Sequence, residues 1–180
     1  MKTDRWIVAC HEAGHAVSTI VLGGRCDGVA LLDDMSGLCQ SFELLGDREA
    51  YCIAAGPAAE PLAEQYPVPE FTPPESRPTV DEIESLPICQ TAPFLAAQMA
   101  RSEADRKYGP SDDRRIALWA IEGREDQPEV WAGRVAHAHR IAADIITQNA
   151  DSIVRVASAL FKTNSLSGPE VTALFERSKP

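Results

Sequence analysis

Two histidines four residues apart, in the run His11-Glu12-Ala13-Gly14-His15, set the strictest condition on how this chain can fold. The stretch around them, from Thr3 or Asp4 to Gly23-Gly24, carries the capping residues and apolar spacing of a helix. Side chains four apart on a helix stand one turn above the other, so both imidazoles can reach a single metal ion. Glu12 can then address a water on that ion, which is the His-Glu-x-x-His arrangement of zinc hydrolases. At roughly 100° per residue, Trp6, Ile7, Cys10, Ala13, Val17, Ile20 and Val21 share one broad apolar face. His11, His15, Ser18 and Leu22 run along its edge. The fold must therefore bury this helix and still leave an opening at its histidines. Gly14 costs about 1 kcal/mol relative to alanine in such a helix, so a neighbour is expected to pack close to the backbone there. The plain alternative is two surface histidines on an amphipathic helix.

The rest of the chain narrows the class. Its 180 residues suffice for one domain with a sizeable core. A formal net charge of −10, with no basic run, argues against a nucleic-acid partner. No apolar run approaches the ~20 residues that cross a bilayer, and the N-terminus enters a helix without a signal-peptide core, so no membrane insertion is expected. The five cysteines (Cys10, Cys26, Cys39, Cys52 and Cys89) are odd in number and show no Cys-x-x-Cys spacing. They read as free thiols in a reducing compartment, which points to the cytoplasm.

After the first helix, Val29–Leu32 and Leu38–Phe42 flank a polar turn and read as two short strands. A small sheet beside such a helix can offer an edge strand to an extended peptide. Asp47 to Gly56 reads as helical, and Pro57 marks either a break or the first turn of a following helix, Ala58-Ala59-Glu60, whose continuation Pro61 limits. From Tyr66 to Pro93 there are seven prolines, an excursion of loop and extended chain with room for a short helix near Asp81–Ser85. Ala96–Tyr108 resumes a helical pattern. Ser111 is placed to cap a further helix that opens with Asp112 and Asp113. The longest helix is expected over Glu129 to about Asn149, the next over Ile153–Phe161 behind Asp151, and a last one from Ser167 to near Glu176. The expected fold is mainly α (α+β), helical with a small β-sheet or hairpin, in a single domain over 1–180.

A catalytic zinc takes three protein ligands and an open position. The third could come from Asp112, Asp113, Glu60, His137 or His139. His137 and His139 diverge by about 200° on a helix and do not easily share one ion. The runs His11 to Ala16, Ala55-Gly56-Pro57-Ala58-Ala59-Glu60 and Gly109 to Ala117, followed by Ala142–Leu160 and Leu166–Val171, occur in an order that resembles the peptidase domain of the FtsH family. The resemblance covers most of the chain except the proline-rich excursion. It implies His11, His15 and Asp113 as zinc ligands, with Asp112 the neighbouring alternative, Glu12 as general base, and Glu60 in a supporting role. Pro57 stands where that family usually has a basic residue, and Pro61 where it often has a second acid.

The resemblance implies a zinc-dependent endopeptidase acting on a polypeptide substrate. The chain has no phosphate-binding Gly-x-x-x-x-Gly-Lys-Ser/Thr loop, so it is expected to take unfolded segments, act on one protein partner, or borrow a separate ATPase. The alternative is a non-proteolytic zinc-binding adaptor that keeps the peptidase fold. An intact Glu12 argues against it, since a purely structural site has no need of a base. The sequence leaves the oligomeric state open.

Overall fold

The computed structural model describes residues 2–32, 36–70, 112–122 and 127–177. Helix α1 (Lys2–Val21) is the central element. Strands β1 (Arg25–Leu31) and β2 (Gly37–Phe42) follow, then α2 (Asp47–Ala59) and the single turn α3 (Leu62–Gln65). Beyond the proline-rich excursion come α4 (Asp112–Ile121), α5 (Pro128–Gln148), α6 (Ala150–Thr163), the short β3 (Ser165–Ser167) and α7 (Gly168–Glu176). Among the described residues the chain is mainly helical with one small sheet, as its periodicity implies. The expected helices near 81–85 and 96–108, Cys89, and the capping role of Ser111 lie outside the described residues.

Helix α1 is buried by neighbours on several sides: α2, α6 and the sheet all pack on it. Trp6, Ala9, Cys10, Ala13, Ala16 and Val17 are fully buried, so its covered surface is wider than the single stripe read from periodicity. Val21, assigned to that stripe, is 41% exposed, because the helix ends there and Gly23 turns the chain at φ +78°. Trp6 meets Phe161 of α6 edge to face, with ring centroids 5.7 Å apart. Arg5 hydrogen-bonds Asn164, the left-handed residue that ends α6.

The sheet is antiparallel in the order β2-β1-β3. In it Val29 stands opposite Cys39 on one side and Leu166 on the other. Strand β1 starts four residues earlier than its apolar run suggests, and a bulge between Cys26 and Gly28 absorbs the polar Asp27. Strand β3 carries too few residues for an alternating pattern to reveal it. At its end Ser167 and Glu170 form a reciprocal capping box that starts α7.

Pro57 does not end α2. The helix runs on to Ala59 with the proline inside it. A proline there forfeits one backbone hydrogen bond, but the helix ends two residues later, and burial of Ala54, Ala55, Gly56 and Ala59 against its neighbours outweighs the loss. Gly56, just before the proline, and Glu60, just after the helix, lie beside the histidines of α1.

Candidate metal centre

Gly14 is what lets α1 and α2 approach. A β-carbon at Gly14 would sit 2.6 Å from the Ala55 carbonyl oxygen and 2.7 Å from Ala59 Cβ, closer than atoms pack. The close neighbour expected from this glycine is therefore α2. Its Gly56 lies directly over the imidazoles: a β-carbon there would stand 2.5 Å from His15 Cε1 and 2.7 Å from His11 Nε2. We expect Gly56→Ala to push the rings apart and weaken zinc binding roughly 10–100-fold, the range seen when groups that orient ligands are disturbed. Chelator competition on the folded variant measures this, and an unchanged zinc affinity would contradict the packing described.

His11 and His15 point one nitrogen each at a common place. Their Nε2 atoms are 3.1 Å apart, and Asp112 Oδ2, at the start of α4, lies 3.0 Å from one and 3.1 Å from the other. The far nitrogens are already engaged: His11 Nδ1 is 2.8 Å from Glu60 Oε1, and His15 Nδ1 is 2.8 Å from the Cys52 carbonyl oxygen. A carboxylate and a carbonyl only accept, so both Nδ1 atoms must donate. In the neutral rings both Nε2 atoms then present lone pairs, beside a carboxylate oxygen. Three acceptors converging within hydrogen-bonding distance require a cation among them, and two imidazoles with one carboxylate suit zinc. These residues fit the metal.

Of the ligands that the resemblance implies, His11 and His15 are therefore together. The backbone of Asp113 lies in the first turn of α4, and its side chain is outside the described residues. The carboxylate seen beside both histidines is that of its neighbour Asp112. Glu60 supports His11 rather than joining the set. His137 hydrogen-bonds the Tyr51 hydroxyl at 3.1 Å, well apart from this cluster in its contacts. Sequence reasoning had no signal for the Cys52 carbonyl, a backbone atom. Gly56 stood within a quoted landmark, but only packing shows what it clears.

Glu12 is 7% exposed. Strand β2 walls it in, since a β-carbon on Gly37 would fall 2.5 Å from Glu12 Oε1. Burial raises its pKa above the usual glutamate range, with the two imidazoles pulling the other way. Burial opposes charge on the imidazoles too, but the hydrogen bonds to Asp112 outweigh it. They hold His11 above, and His15 well above, the ordinary value of 6.5. Asp112 also resists burial: its hydrogen bonds to the histidines hold it below the ordinary carboxylate range.

Without metal, then, Asp112 favours a proton on the imidazoles, where a metal would otherwise be held. Zinc must displace that proton, so binding near pH 7 should release protons, seen by calorimetry in buffers of different ionisation heat. The folded pKa is raised, so the proton is present below it and gone above it. Release should fall, and apparent zinc affinity should level off, as pH rises through that value. Buffer-independent heats at pH 7 would contradict the arrangement.

Residues 4–64 of the 180 match the family model described as Peptidase M50B-like. No curated protein matches the chain. The matched segment holds α1 with His11, Glu12 and His15, strands β1 and β2, and α2 with Gly56 and Glu60. Among the described residues no helix is long and apolar enough to cross a membrane. The match is to a metallopeptidase family other than FtsH, and it supports a metallopeptidase-type domain over this segment.

Proposed function

We propose that this protein is a zinc-dependent endopeptidase with His11, His15 and Asp112 as ligands and Glu12 as general base. The observation that carries this is the convergence of three acceptor atoms within 3.1 Å, with both Nδ1 hydrogens committed elsewhere. Zinc in this set would supply Lewis acidity, polarising a peptide carbonyl and lowering the pKa of water. Glu12 accepts a proton from the attacking water as its oxygen bonds to the carbonyl carbon. It then hands that proton to the amine nitrogen as the carbon–nitrogen bond breaks.

The order of elements favours an FtsH-like arrangement: the histidine helix, then a helix bearing Gly56 and Glu60, then an aspartate opening α4. The substrate would be an extended or unfolded segment. Strand β2 is bonded to β1 on one side only among the described residues, and its Gly37 touches Glu12. A strand added to that outer edge would run past the base. A folded substrate would call for a separate ATPase. The described cysteines are free thiols, which fits the cytoplasm.

The test is metal analysis together with cleavage of an unfolded polypeptide. One zinc per chain and cleavage that chelation abolishes and zinc restores are expected. Zinc without cleavage would favour the adaptor reading, and a chain that takes up no zinc would end both.

A further inference from the structure

Peptide hydrolysis places negative charge on the carbonyl oxygen, and sites that stabilise it aim donors or cations at that atom. Among the described residues, the side chains that form the metal centre offer none. Ionised Glu12 and Asp112 only accept. His11 and His15 commit their Nδ1 hydrogens to Glu60 and the Cys52 carbonyl. The Ser18 and Thr19 hydroxyls donate to the His15 carbonyl oxygen within α1, at 3.0 and 2.8 Å.

Arg115 is a cation paired with this centre through Asp112. It lies one turn beyond Asp112 in α4, so both side chains share a face. Its Nη1 is 3.6 Å from Asp112 Oδ1, the oxygen not used on the histidines. Its side chain is 44% exposed and that of Asp112 is 12%, which puts the guanidinium at the rim of the centre with N–H groups to spare. Its charge also reaches Glu12, where it favours the carboxylate against burial.

Resting on the peptidase reading, the geometry points to Arg115 as the group that binds the scissile carbonyl oxygen while it becomes negative, as well as steadying Asp112. Arginine suits this place because it stays charged and offers five donors in a rigid fork. An ordinary exposed pair one turn apart on a helix would contribute little and leave turnover untouched.

The experiment compares zinc-loaded wild type, Arg115→Ala and Arg115→Lys. Zinc content, kcat and KM on an unfolded polypeptide are measured, with calorimetric affinity for a phosphinic alanine peptide, whose tetrahedral phosphorus mimics the addition state. Arg115→Ala should keep its zinc and lose about 10²-fold in kcat and in probe affinity, with KM little changed. Arg115→Lys should recover part of both. Unchanged kcat and probe affinity would reduce Arg115 to a surface pair. Zinc lost in step with activity would reduce it to a clamp on Asp112. Either result overturns the assignment. Wild-type protein that holds zinc but neither cleaves nor binds the probe removes the peptidase reading itself, and Arg115's role with it, before any variant is made.

Discussion

Glu12→Gln is expected to keep its zinc and lose peptide cleavage by roughly 10²–10⁴-fold, the contribution of a positioned general base. Glutamine has nearly the same shape, so the wall formed by Gly37 should still close on it. The substitution removes only the ability to take and return a proton. Stability provides the control. A glutamate whose folded pKa is raised above its unfolded value costs stability at pH values above the unfolded pKa, and that cost is relieved as pH falls. At neutral pH the metal-free glutamine variant should therefore melt no lower than wild type. Wild-type turnover in Glu12→Gln would refute the base assignment. A lower melting temperature would refute the description of Glu12 as a buried, disfavoured charge.

Asp112→Ala should lose most of its bound zinc, a larger loss than the roughly 10–100-fold that follows disturbance of an orienting group. The variant leaves two imidazole lone pairs facing each other at 3.1 Å without the carboxylate that completes the set. It should also lower the folded pKa of His15, since Asp112 is what offsets burial there. Proton release on adding zinc near pH 7 should shrink accordingly. Asp113→Ala is the necessary comparison. Full zinc stoichiometry in Asp112→Ala together with loss in Asp113→Ala would move the ligand role to Asp113.

How far the site was legible depended on distance along the chain. His11, Glu12 and His15 lie within five residues of one helix, where fixed periodicity determines which side chains meet. Gly14 was readable for the same reason: a glycine inside a buried helix costs stability unless something needs the space, and Ala55 and Ala59 occupy it. Choosing between Asp112 and Asp113 was another matter. Neighbours on a helix differ by about 100° in direction, so the choice depends on the exact rotation of α4 against α2 and α1. Nothing local in Gly109-Pro110-Ser111-Asp112-Asp113 fixes that rotation. Pro57 shows the same limit: its local penalty is real, yet α2 continues through it because its small residues are buried.

By itself the sequence determined a mainly helical chain with a small sheet, a histidine pair able to hold a metal, and a glutamate between them. These rest on composition and on periodicities of 3.6 and 2, which operate within a few residues. The tertiary structure alone decided what closes on that pair. Packing brought Asp112 to the histidines from 97 residues away, set Glu60 and the Cys52 carbonyl behind the rings, and laid Gly56 and Gly37 where only a missing side chain fits. Those placements follow from how whole helices and strands settle against one another, and no window of sequence contains that information.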